Sequence, residues 1–313
     1  MNMKILLAGL MSGFASALLM LGSSRVGISG TPLLLATPLP IYFVALSFGP
    51  SAGMAGSIIA ILVAGGIVSS QLGMLMGLLF SIPAAIAAHQ ANLAQQNEDG
   101  SMEWFPVSKI LFNLSVVLCI AIIVAGYIVG FTPEKVLPVM KEVIGEFASV
   151  NSPDRALSED EKLAIAKNAI SILPFMFSGM WLIVHLLNMQ VAGMISRSMK
   201  FLPRPQDDIA ATASLPKLAL ITLPIALAAT LMFDGPIQLV ALVVAGMMFM
   251  AFALVGLAAL HLRMRSWPGG LGILIITYLA IILFYFPLVI FAVAGVYIVF
   301  SHTNNSVAHS DKS

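Results

Sequence analysis

The chain has 313 residues, 59% hydrophobic and 9% charged, with a mean hydropathy of +1.01. A water-facing surface carries about 25% charged residues, so this exterior has to face lipid. The net charge of +1 gives no basis for nucleic-acid binding, and the single cysteine, Cys119, excludes an internal disulfide or a multi-cysteine zinc site.

Crossing a hydrocarbon core of about 30 Å takes about 17–25 apolar residues. Runs that meet this lie near 4–22, 32–48, 52–69, 71–88, 109–130, 169–196, 217–233 and 236–262. The first contains Ala15-Ser16-Ala17, which mimics a signal-peptidase site. It continues through Leu18–Leu21 and precedes further spans, which favours a membrane helix over a cleaved leader. Gly9, Gly13 and Ala17 stand four apart on one face. Such a small-residue ladder lets another helix approach closely, either from this chain or from a partner membrane protein. Ala52, Gly56, Ala60 and Ala64 repeat the pattern in the third span.

Short turns separate the spans: Gly49-Pro50-Ser51, Ser69-Ser70-Gln71 and Asp234-Gly235-Pro236. Glu98, Asp99 and Glu103 read as a solvated loop. The last apolar block, 270–301, is too long for one crossing and is broken at Phe286-Pro287. Proline removes a helix donor and restricts its predecessor, which favours a hairpin of two short helices. The expected fold is therefore an all-α polytopic membrane helix bundle. It has ten crossings, or nine if that block is one kinked helix, in a single domain spanning 1–313. The runs are continuous rather than alternating, which excludes a β-barrel.

Lysine and arginine set the orientation. Lys4, Lys109, Arg197, Lys200, Arg204, Lys217, Arg263 and Arg265 all fall on one side if the amino terminus is cytoplasmic. Arg25 and the long interval 132–167 then face outward. In that insert Val136, Leu137, Met140, Val143, Ile144 and Phe147 recur every three or four residues, as in an amphipathic helix opened by Thr132-Pro133. Ser158-Glu-Asp-Glu161 is a capping box whose helix runs on into the sixth span. The insert is either a helix lying on the membrane or the bundle mouth, or a lid over an outward-facing cavity.

The sixth span carries the polar residues. Ser178, Trp181, His185, Asn188, Ala192 and Ser196 are spaced by three or four and share one stripe, with His185 near the bilayer midplane. Polar side chains at that depth face the bundle interior or a wet cavity. They form either a ligand site of His185, Asn188 and Trp181, joined by Asn113 of the fifth span, or hydrogen-bonded glue between helices. Gln190 points elsewhere. Nucleophile elbows, Walker loops and acidic residues within the spans are absent from the sequence, so nothing marks an enzyme, a cofactor or a carboxylate-driven pump. His302 and His309 lie in a polar tail, 302–313, without metal-ligand spacing.

Several short motifs carry a resemblance. They are Trp104-Phe105-Pro106 before Lys109, Leu187-Asn188 with Ala192-Gly193 and Arg197, and Leu202-Pro203-Arg204-Pro205 with Leu215-Pro216. Arg265-Ser266-Trp267-Pro268 follows, with Tyr278 and Phe286-Pro287. In order and spacing, over nearly the whole chain, they resemble the YybS-like family of bacterial membrane proteins. The insert 132–167 and the polar tail depart from it. The resemblance implies likeness to the solute-binding S components of energy-coupling-factor vitamin transporters, with an S-component-like core. It also implies a solute held in the bundle toward the outer face, and a first-helix ladder, here Gly9, Gly13 and Ala17, that docks a partner subunit. The expected function is therefore small-solute binding or uptake in a bacterial inner membrane. The alternative is a membrane interaction or biogenesis protein, and an enzyme ranks third. The expected partners are the lipid bilayer, a small solute and a membrane protein.

Overall fold

The computed structural model describes residues 3–151 and 157–310. Residues 152–156 of the insert lie outside the described residues. So do 311–313 and the side chains of 302–310, which include His302 and His309.

The chain is an all-α polytopic bundle. Among the described residues, seven helical spans are long and apolar enough to cross a membrane. Three are single helices in the first half: α1 Met3–Ser23, α4 Pro50–Ile67 and α7 Val107–Val129. Two more are interrupted. The second span divides into α2 Thr31–Leu35 and α3 Leu39–Phe48, and the fourth into α5 Ser70–Met76 and α6 Ile82–Ala91, joined by a π turn at Gly77–Ser81. After the amphipathic α8, Pro133–Asn151, come the 40-residue α9, Glu159–Ser198, and the short α10, Ile209–Thr212. They are followed by α11 Lys217–Met232, α12 Pro236–Met264, α13 Gly270–Phe284 and α14 Pro287–Ser310.

All the apolar segments expected from the sequence are helical, but three fall short of independent crossings. The 16 residues of α11 rise about 24 Å, less than the hydrocarbon core. Between α13 and α14 the axis bends by 117° at Tyr285-Phe286-Pro287, where Tyr285 adopts φ +53. The pair counts as one broken span or a re-entrant loop. Pro287 causes the break, as it has no N–H to continue the α13 ladder.

The most buried span is α12, and glycines let its neighbours reach its backbone. A Cβ on Gly246 would strike the Phe175 carbonyl of α9. One on Gly256 would strike Phe291 of α14, and one on Gly295 would strike Phe252 of α12. The small residues of α1 are used in the same way. A Cβ on Gly9 would come within 2.9 Å of the Ala52 carbonyl, and one on Gly13 within 2.7 Å of Ile59 Cβ, so this ladder lies against α4 of the same chain.

The two ends of the bundle differ. At one end residues 94–104 form an antiparallel hairpin, β1 Ala94–Gln96 with β2 Met102–Trp104, rather than the loop expected there; Ala94 pairs with Trp104 and Gln96 with Met102. Its turn places Gly100 at φ +82. Asp99 accepts from the Ser101 hydroxyl at 2.6 Å and from its N–H at 2.9 Å, bonds that hold the carboxyl below the usual range. At the other end α9 is longer than one crossing needs. Its 40 residues rise about 60 Å, twice the core thickness, and α8 packs along its first turns. The capping box at Ser158 is formed as the sequence predicts.

Candidate functional site

Proline determines where the site lies. Pro83 has no N–H, so the carbonyl four residues earlier, on Leu79, loses its helical donor. The chain absorbs the defect by widening into a π turn, in which Ile82 N–H reaches Gly77 O. In the second span the α-helical donor to the Leu35 carbonyl, the N–H of Leu39, bonds Ala36 O at 3.0 Å instead, and Pro38 has no N–H to take its place. A bare carbonyl at membrane depth costs several kcal/mol, because no water is present to satisfy it.

The polar stripe of α9 supplies the missing donors. Trp181 Nε1 donates to Leu79 O at 2.7 Å, and His185 Nε2 lies 2.9 Å from the same oxygen. Asn188 Nδ2 donates to Leu35 O at 2.8 Å and to Val184 O of its own helix at 2.8 Å. A carbonyl only accepts, so His185 carries its proton on Nε2. Nδ1 is then the acceptor for the Tyr42 hydroxyl of α3, 3.1 Å away. The rings of Tyr42 and His185 meet edge-on at 5.9 Å. Trp181 is stacked on Phe177 at 5.0 Å and meets Phe80 of the π turn edge-on at 5.2 Å. Farther down the stripe Ser196 shares a 2.8 Å hydrogen bond with Ser47. Ser16 of α1 donates to Thr37 O, covering another carbonyl at the α2–α3 break.

All six residues of the stripe are buried, and three of them clasp both interrupted spans. Asn113 is not brought to Asn188. It is half-buried on α7, which packs against both the π turn and α9, and no hydrogen bond joins the two amides among the described residues. Asn188 instead directs its N–H groups to main-chain carbonyls. Gln190 lies half-buried off the stripe.

Sequence reasoning missed Tyr42, the two freed carbonyls and Arg204. The carbonyls were signalled by Pro83 and Pro38 in otherwise apolar runs. Arg204 counted only as a loop charge, yet it is 4% exposed. Its guanidinium donates to Ala91 O and Phe105 O, both at 3.0 Å, and to Asp207 at 2.7 and 2.8 Å, and it lies over the Trp104 ring. Next to it Asp208 takes both arms of Arg265 at 2.6 Å, and that guanidinium holds its carboxyl below the usual range. The loop between α9 and α11 is thereby strapped to the β-hairpin and to the end of α12.

Compared with known proteins, the chain matches no family model, no curated sequence and no solved structure.

Proposed function

We propose that the chain is a non-enzymatic, transporter-like carrier of a small solute in a bacterial cytoplasmic membrane, with its amino terminus on the cytoplasmic side. One observation carries the reading: two proline-interrupted spans meet a single polar stripe, with their freed carbonyls held by Trp181, His185 and Asn188. Interrupted spans with unwound carbonyls are the material from which membrane carriers build solute sites. In the closed clasp every donor is engaged internally. Opening it presents an imidazole, an amide, an indole and two carbonyls to a solute, with Asn113 on the adjoining helix as a further contact. The YybS-like resemblance, and through it the likeness to S components, supports the same reading. So does the clustering at one end of Arg204, Arg265 and the hairpin that precedes Lys109, as the positive-inside rule requires of a cytoplasmic face.

Native mass spectrometry of gently extracted protein tests it. The expected spectrum contains a bound small molecule that is lost in Asn188→Leu protein of unchanged helicity. A spectrum without one, together with vesicles that take up no solute from a vitamin and metabolite mixture, overturns it.

A second reading, a membrane interaction or biogenesis protein, is favoured by a different feature. On the water-facing α8, Val139 and Val143 remain 59% and 49% exposed although the opposite face packs on α9. Crosslinking from α8 that captures no membrane protein counts against it.

A further inference from the structure

Helix α13 is apolar all round yet packs on almost nothing. It carries no charged residue, and its polar side chains are Thr277 and Tyr278. Gly270 is its one buried residue, whereas Leu271 and Leu283, near its two ends, are 72% and 70% exposed. Three contacts fix its level. At its start a Cβ on Gly270 would strike the Met264 carbonyl at the end of α12. In mid-helix the Tyr278 hydroxyl lies 3.5 Å from His261 Nε2, with the two rings 5.7 Å apart. After the bend, Phe291 meets Gly256 and Gly295 meets Phe252, so α14 runs antiparallel to α12 and Pro287 stands near the level of Leu260. The start and end of α13 are thus held within about one turn of each other along α12, although its 15 residues span about 22 Å. A helix held in this way runs across the end of the bundle rather than through the membrane.

We propose that α13 is an in-plane arm immersed among the lipid acyl chains of one leaflet, at the end of the bundle that carries Arg204, Arg265 and the β-hairpin, and that α14 alone makes the final crossing. The 24 residues of α14, about 36 Å, are enough for that crossing and carry the chain to the opposite end. Lipid is the occupant that the surface of α13 fits. A helix satisfies its own backbone groups and so tolerates hydrocarbon, whereas a helix lying on the water surface needs a polar face, which α13 lacks. Groups suited to the headgroup level stand at both ends. Trp267 precedes α13 and Tyr285 follows it, both exposed. The exposed Arg263 has no carboxylate partner among the described residues and is free to meet a lipid phosphate. Naming that leaflet cytoplasmic rests on the orientation given above; the arm and the crossing do not.

The test uses the full chain with Cys119→Ala. In cells, a cysteine appended after Ser313 is expected to react with an impermeant maleimide on the same side as Ser149→Cys and on the opposite side from Ser101→Cys. Reaction on the side of Ser101→Cys means that α13 and α14 both cross, and it overturns the proposal. If all three labels change sides together, the arm stands and the assigned orientation falls. In lipid vesicles, nitroxides at Leu271→Cys and Leu283→Cys are separated by about 18 Å along the helix. Both are expected to relax strongly with oxygen and weakly with a water-soluble nickel chelate, at depths that differ by far less than that length. Depths separated by the full length overturn the arm, as does poor oxygen access at both sites because a second copy of the chain covers the helix.

Discussion

His185 and Tyr42 are 143 residues apart in sequence, yet the Tyr42 hydroxyl sits 3.1 Å from His185 Nδ1 inside the bundle. With Nε2 committed to the Leu79 carbonyl, the imidazole joins three spans through a single ring. Tyr42→Phe leaves Nδ1 without its donor, whereas His185→Ala strands the Tyr42 hydroxyl, removes one of the two Leu79 donors and opens a cavity. Thermal unfolding in detergent is expected to show His185→Ala costing about 2–4 kcal/mol and Tyr42→Phe about 1 kcal/mol. A double-mutant cycle should give a coupling of about 0.6–1.7 kcal/mol, the range for interhelical polar contacts in membranes. Additive effects would mean that the bond does not form.

The glycines of α12 and α14 make a sharper packing prediction. Ala at Gly246 or Gly256 puts a methyl into a neighbouring main-chain carbonyl, whereas a Cβ on Gly66 or Gly272 meets nothing within 4 Å. Gly246→Ala and Gly256→Ala should each lose about 1–3 kcal/mol or more through overpacking. Gly66→Ala and Gly272→Ala should be neutral or slightly stabilising, since Ala is the better helix former. Equal melting temperatures across the four would refute the close crossings.

The docking of α8 should depend on acid. Lys141 at 2.8 Å and Lys162 at 2.9 Å hold the Glu159 carboxyl down to about 2. A depressed carboxylate contributes its stabilisation above its unfolded value, about 4.3, and loses it as pH falls through the folded value. A nitroxide at Ala148→Cys, half-buried on the packed face with Lys141 and one turn beyond Gly145, should therefore be immobile at neutral pH and loosen between about pH 4 and pH 2. Glu159→Gln should be loose at every pH. An unchanged line shape in Glu159→Gln would show that apolar contacts alone hold α8.

Orientation can be read from two serines. Ser101 lies in the turn of the β-hairpin, and Ser149 near the end of α8, both exposed. In the Cys119→Ala background, Ser149→Cys should react with an impermeant maleimide on intact cells. Ser101→Cys should react only after permeabilisation. The opposite pattern reverses the assigned sides.

The sequence locates the spans because length and hydropathy are additive along the chain. It locates the stripe because Ser178, Trp181, His185 and Asn188 follow helical spacing, and all four are buried. The partners of those residues were not legible. A main-chain carbonyl has no sequence identity, and only the position of Pro83 marks Leu79 as freed. Tyr42 is one aromatic residue in an apolar run, and nothing local distinguishes a hydroxyl that meets an imidazole from one at the lipid interface. Arg204 reads as a cytoplasmic charge by the same rule that oriented the chain, and its burial depends on Ala91 and Phe105, about a hundred positions away. The hairpin at 94–104 was hidden because its three-residue strands are too short to show periodicity.

The clasp itself is tested most directly by nitrogen NMR of histidine-labelled protein in lipid at neutral pH. The account predicts that His185 carries its proton on Nε2, protected from solvent exchange, and that the Nδ1 resonance moves in Tyr42→Phe. A His185 protonated on Nδ1, or one exchanging freely with water, would contradict it.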